Sequence, residues 1–108
     1  MTTAVSITAG LNHACAILSD GGALCWGLGS FGQLGNGTPV YTGQPTPAPV
    51  LDEGTGLPRK DIRSMSAGSA HSCMVTEDDT AWCWGMNTAG QVGDGTTVNE
   101  LNPTKVVW

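Results

Sequence analysis

Charge is scarce in this chain of 108 residues: Asp, Glu, Lys and Arg together make up 12%, about half the share of an ordinary globular protein. Basic residues are scarcer still, four against nine acidic ones, and Arg59, Lys60 and Arg63 crowd into one five-residue stretch. A phosphate backbone needs several Lys and Arg spread over a surface, and only Lys105 is left for that. Nucleic acid and anionic membranes are therefore not expected as partners, and the net charge of −5 reads as a solvated acidic surface. No apolar run approaches the roughly 18 residues of a membrane helix. The opening Met1-Thr2-Thr3-Ala4 lacks the basic and apolar regions of a signal peptide, so a secreted form is expected to be processed, trimmed or exported another way. Apolar residues at helical spacing are also missing, which points to an all-β chain.

Glycine and tryptophan are abundant instead. Sixteen glycines are roughly twice the usual share, and four tryptophans supply enough apolar area to argue for a packed core. The chain is an internal duplication. Residues 9–38 lie over 67–96 at a constant offset of 58 without a gap, and 14 of the 30 positions are identical. The identities include His13 and His71, all four cysteines, and the shared string Cys-Trp-Gly, four residues, Gly-Gln, one, Gly, one, Gly-Thr. Residues 1–58 are read as the first repeat with a Pro- and Gly-rich insertion loop and residues 59–108 as the second, the stretch between the matched blocks, Thr38 to Arg63, being a loop with an insertion and not a domain linker.

Short apolar runs, Cys15 to Leu18 and Ala23 to Trp26, flank Ser19-Asp20-Gly21-Gly22, a hairpin signature. Cys73 to Thr76 and Ala81 to Trp84 repeat it around Glu77-Asp78-Asp79. Ser6 to Ala9 and Ser64 to Ala67 read as a preceding strand, and Pro49 to Leu51 and Lys105 to Trp108 as a following one. Each unit then has about four antiparallel strands with apolar residues on both faces. Such a sheet needs a neighbour on each side, as a propeller blade does.

The order Ala-Gly-x-x-His, a turn hairpin, Trp-Gly and then Gly-Gln-x-Gly-x-Gly resembles the regulator of chromosome condensation repeat, over nearly the whole chain. The resemblance implies two blades of a β-propeller that typically has seven. Departures are Gly29 where Asn87 fits the pattern, Val92 in place of leucine, and Asp79 where the first copy has Gly21. The resemblance also implies, as one functional reading, the founding member's guanine-nucleotide exchange and chromatin role. An acidic, cysteine-paired chain with two repeats fits that role badly.

Cys15 and Cys25 are separated by nine residues, as are Cys73 and Cys83, with Asp20 and Asp78 at the midpoints. Each pair should face across its own hairpin, where opposed Cα atoms about 4.5 Å apart suit a disulfide. Of three connectivities the repeat selects Cys15–Cys25 with Cys73–Cys83, which implies an extracellular or other oxidising compartment. Buried free thiols and a zinc site are the competing readings; a zinc site would have to form without any Cys-x-x-Cys. His13 and His71 recur without an acid or cysteine at ligand spacing, so each is expected to be structural and to hydrogen-bond backbone within its blade. Trp26 and Trp84 follow the cysteine and point to the opposite face, where packing between blades is expected. Trp82 reads as a further packer or as an aromatic platform for a sugar or peptide. The glycine-rich segments lack the Gly-Lys-Ser/Thr of a phosphate loop. No nucleophile–base pair, metal set or cofactor motif is present, so no catalytic residue is assigned.

The expected function is a non-enzymatic β-propeller repeat module acting as an assembly or protein-interaction scaffold. Two blades do not close a ring, because propellers need roughly 4 to 8. Each outer blade would leave an apolar, tryptophan-bearing face open. The tail of one copy leads to the head of another, so head-to-tail self-association into a ring or filament is expected, with Val106, Val107 and Trp108 contributing. Further repeats of a longer chain would serve the same faces. A secreted ligand-binding propeller, lectin-like or inhibitor-like, using Pro39–Pro49 and Glu77–Asp79 for a protein or glycan, is the alternative. Intact mass under non-reducing conditions should show two disulfides, and peptide mapping should place each within its repeat; four alkylatable thiols, or a Cys25–Cys73 link, would contradict the pairing.

Overall fold

The computed structural model describes residues 2–37 and 40–107. Eight strands run in order: β1 (Ala4–Ala9), β2 (His13–Leu18), β3 (Ala23–Gly29), β4 (Val40–Pro49), β5 (Ile62–Ala67), β6 (His71–Thr76), β7 (Ala81–Gly85) and β8 (Glu100–Lys105). They form two four-stranded sheets, β1-β2-β3-β4 and β5-β6-β7-β8, in which every neighbouring pair is antiparallel. The fold is all-β, and each repeat builds one blade.

The hairpins follow from their turn residues. Gly21 sits at φ 84°, and Asp79, its counterpart in the second copy, is the one non-glycine at positive φ among the described residues, at 66°. Asp tolerates this left-handed region through its short polar side chain, so the same turn forms with different chemistry. The register places Cys15 opposite Cys25 and Cys73 opposite Cys83. Disulfides join both pairs across their hairpins, with Cα atoms 4.1 Å apart.

The fourth strand of each blade lies upstream of where apolar runs place it. Val40–Pro49 forms β4, although it sits inside the segment read as an insertion loop, and β8 ends at Lys105, where the last strand was expected to begin. The prolines do not break β4 because it is the edge strand of its sheet, paired only with β3, and its ladder is irregular between Ala48 and Gln44, where Pro45 and Pro47 lie. After each fourth strand the chain leaves the ladder to reach its own glycine-rich loop: Leu51 N–H donates to Gly35 O, and Val107 N–H to Gly93 O. Val106 and Val107 therefore follow β8 instead of extending it.

Each blade has two faces. The disulfide face of the first blade leads toward the second, and the tryptophan face of the second trails against the first. Between them lies one shared core, built from Cys15, Ile17, Ala23, Cys25, Leu34 and Val50 on one side and Ile62, Met74 and Trp84 on the other. The blades are thus not independent: burial on each hydrophobic face depends on the other blade. Met74 is almost fully buried at the centre of this contact. Met74→Ala should destabilise the protein by about 2–5 kcal/mol in denaturant unfolding, through lost transfer energy and the cavity left behind.

Candidate functional site

The contact between the blades is the most fully constructed polar and apolar arrangement in the molecule, and it defines what each open face offers. At its centre the Gln33 carbonyl accepts two hydrogen bonds from the second blade, from the Trp84 indole Nε1 at 2.9 Å and from the Ser72 hydroxyl at 2.8 Å. The Ser72 hydroxyl also meets His13 Nε2 at 2.9 Å. His13, Gln33, Ser72 and Trp84 are all buried. Burial first, and then the nearby His71, hold the His13 imidazole below its ordinary pKa. His13 thus reaches across the blade boundary to a side chain, whereas a backbone bond within its own blade was expected. Ser72, which completes the site, carries no signal in the sequence, because the matching position of the first copy is Ala14.

The Gln33 loop can enter because it has glycine where the neighbour comes close. A Cβ on Gly35 would stand 2.7 Å from the Trp84 indole nitrogen, and one on Gly32 only 2.8 Å from Leu101 Cα. Gly37 N–H donates to Leu101 O, and Thr8 Oγ1 accepts from Ala67 N–H at 3.1 Å, sealing two further edges of the contact.

The same parts recur on the outer faces without a neighbour. On the leading face of the second blade, Gln91, Val75 and His71 are half-buried, while their counterparts Gln33, Ile17 and His13 are buried. A shallow cleft of about 160 Å³, lined in part by Cys73, Val75 and Ala81, opens there. On the trailing face of the first blade, Trp26 is half-buried where Trp84 is fully buried, and Ile7 is 69% exposed where Met65 packs on the core. Val106 is half-buried and Val107 exposed; Trp108, Thr38 and Pro39 lie outside the described residues.

The free loop of the second blade is held in shape from within. Asn87 is fully buried and donates from Nδ2 to Val98 O and Thr96 O, while its Oδ1 accepts from Val92 N–H. Its Nδ2 also reaches Asp94 Oδ1. Asp94 and Glu100 form a carboxyl pair: hydrogen bonding to Asp94 pushes the Glu100 carboxyl up to about 7, and hydrogen bonds from Glu100 and Thr96 hold Asp94 down at about 2. Asn87 was noted in the sequence only as a match to the repeat pattern; its role as the loop's anchor comes from the fold.

The remaining candidates are accounted for more simply. Trp82 packs on the core edge, donates from Nε1 to Thr80 Oγ1, and lies under the Arg59 guanidinium at 4.5 Å, so no open aromatic platform is formed there. Asp78 of the hairpin tip is held at about 2 by the hydroxyls of Thr76 and Thr80, which is turn chemistry. Among the described residues no group of three or more His, Cys, Asp or Glu is placed to hold a metal ion.

Two antiparallel four-stranded sheets packed face to face in series are blades of a β-propeller. The family model for the regulator of chromosome condensation repeat matches residues 4–33 and 62–91, and a second model of the same repeat matches 20–75 and 78–108. The chain belongs to this repeat family. It is 32% identical over 93 residues to the human E3 ubiquitin-protein ligase HERC2, covering 86% of this chain and 2% of that protein. It is 34% identical over 103 residues to the ultraviolet-B receptor UVR8 of Arabidopsis thaliana, covering 94% of this chain and 22% of the receptor. Among solved structures, that of Kap60 bound to yeast RCC1 (Prp20) superposes with a TM-score of 0.82 at 26% identity, over 99% of this chain and 25% of that one. Human WBSCR16 shares the fold, with a TM-score of 0.82 at 21% identity over 98% of this chain and 26% of that one. The chain therefore spans from 2% to 26% of the length of these proteins.

The opposite shifts of this carboxyl pair have a measurable consequence. Because the folded pKa of Glu100 is raised, its contribution to stability is complete below its ordinary value of 4.5 and is lost as pH rises through about 7. Asp94 behaves oppositely, keeping its contribution until pH falls toward about 2. The stability advantage of the wild type over Glu100→Gln should therefore shrink between pH 4.5 and 7, as read from denaturant midpoints across that range.

Proposed function

We propose that this chain works without chemistry of its own, as a scaffold that binds protein through its open blade faces and assembles head to tail with further copies. The observation that carries the reading is the unequal burial of equivalent residues. Trp84 is enclosed by the loop around Gln33, while Trp26, the same residue one repeat earlier, is only half-covered. The leading face of the second blade repeats the leading face of the first, and the trailing face of the first repeats that of the second. A face pair that already packs within the chain is thus presented again, unpaired, at its two ends. Contact between unlike faces is heterologous and propagates into a ring or a filament. Three copies would supply about six blades and four about eight, both within the range of closed propellers.

The relatives support interaction in place of catalysis as the work of such blades. Yeast RCC1 was solved with Kap60 bound, and Prp20p of Saccharomyces cerevisiae has binding properties toward Gsp1p and histones. HERC2 is named a ligase, yet this chain corresponds to 2% of it. The cross-hairpin disulfides support placement in an oxidising compartment, since reducing cytosol opposes such bonds.

Multi-angle light scattering over a micromolar concentration series should show mass rising above 11.1 kDa in multiples of the chain. Removing residues 106–108 should weaken the assembly, because Val106 sits on the leading face and Val107 N–H is bonded to Gly93 O in the loop that meets the next copy. A folded monomer throughout the series would overturn the proposal.

A further inference from the structure

The trailing face of the first blade holds an open cleft of about 280 Å³, lined by Gly10, Leu11, Asn12, His13, Ala14, Trp26 and Gly27. One repeat later, the equivalent residues include Gly68, Ser72, Trp84 and Gly85, and there the cleft is filled by the Gln33 loop of the preceding blade. Gln33 Cα lies 3.1 Å from the position of a Cβ on Gly85, and the Gln33 carbonyl takes the Trp84 indole N–H. Around Trp26 the receiving parts are the same, Trp26 beside Gly27, and among the described residues no acceptor meets the Trp26 indole N–H. We infer that the Trp26 cleft is a binding site for the loop Gly90-Gln91-Val92-Gly93 of a second copy, with the Gln91 carbonyl accepting from the Trp26 indole. The inference rests on the head-to-tail reading and names the partner segment and the atoms that meet.

Two observations on the loop itself select it as the occupant. Its backbone already has the docked form: Gly90, Gly93 and Gly95 stand at φ 77°, 77° and 85°, against 88°, 71° and 83° at Gly32, Gly35 and Gly37 in the filled contact. Asn87 maintains this form from inside the blade, so little ordering entropy is lost on docking. In the first copy Gly29 replaces Asn87, and there the loop leans on the neighbouring blade through Leu101 O and Trp84. The copy that faces no blade within the chain is the one with its own anchor.

Among the positions at which the junction between copies differs from the junction within the chain, three bear most on its strength. Ala14 stands for Ser72, so the hydroxyl that joins the histidine to the glutamine carbonyl is missing and His71 has no such partner. Ala4 and Ala16 stand for Ile62 and Met74, so less apolar area is covered. The copy-to-copy contact is accordingly the weaker of the two and reversible. Serine at position 14 would restore the hydroxyl in the place it occupies within the chain.

The test compares the dissociation constant of self-association, by light scattering or sedimentation, for wild type and three variants, with a thermal melt for each. Ala14→Ser should tighten association by about two- to tenfold, the net worth of a hydrogen bond. Trp26→Phe, which keeps the ring but loses the N–H donor, should weaken it by a similar factor. Gly90→Asn should abolish it while leaving the melt unchanged. A side chain at Gly90 meets nothing within 4 Å in the isolated chain, and Asn accepts the positive φ, yet at the filled equivalent, Gly32, a Cβ collides with the next blade. If the wild type associates and none of the three variants alters the constant, the cleft assignment fails while assembly stands. If wild type and Ala14→Ser are both monomeric throughout, the assembly reading and the cleft assignment fail together.

Discussion

The Gln33 carbonyl, shared by the Trp84 indole and the Ser72 hydroxyl, is the point on which the two blades turn. Burying a polar group without a partner costs more than a made bond returns, and here the Gln33 carbonyl, the Trp84 indole N–H and the Ser72 hydroxyl are all paired, while His13 Nδ1 and Gln33 Nε2 have no partner among the described residues. Here a loop carbonyl of one blade satisfies a strand side chain of the next, so the apolar faces close at one distance and in one register. His13 extends the same network through Ser72, and burial, then the nearby His71, hold its imidazole below its ordinary pKa. The aromatic area of Trp84 then supplies the apolar part of the contact at the site where its N–H is satisfied.

The disulfides serve a different purpose. Each lies within one hairpin and crosses no blade boundary, so it stiffens a sheet without tying one sheet to another. Cys15–Cys25 is sealed beneath the second blade, and Cys73–Cys83 faces the open leading side, with Cys73 half-buried. Adhesion between blades therefore depends entirely on non-covalent packing.

Much of the fold was legible before any coordinates. The offset of 58 revealed the duplication, the turn residues marked both hairpins, and the symmetry of the cysteines about Asp20 and Asp78 selected their pairing. The fourth strands were not legible at their true positions. Val40–Pro49 reads as a loop because proline is counted as a breaker, and only its place at the edge of a sheet makes Pro45, Pro47 and Pro49 harmless. Glu100–Lys105 is polar and short, and it becomes a strand by pairing with β7. Of the contact between blades, the histidine, tryptophan and Gly-Gln loop stood out because they repeat. Ser72 did not, since it fills in one copy a role that Ala14 cannot fill in the other.

What the sequence determined alone is what a repeat can encode locally: two like units, their hairpins, the facing cysteines, and sheets apolar on both sides. Those follow from residue spacing of two along a strand and from turn chemistry within a few residues. The tertiary structure decided which of two identical residues is enclosed. Trp26 and Trp84, Gln33 and Gln91, His13 and His71 have the same local sequence role and unequal burial. Burial is a property of the neighbour, and the neighbour is another blade, 58 residues away along the chain, packed against only one side of each.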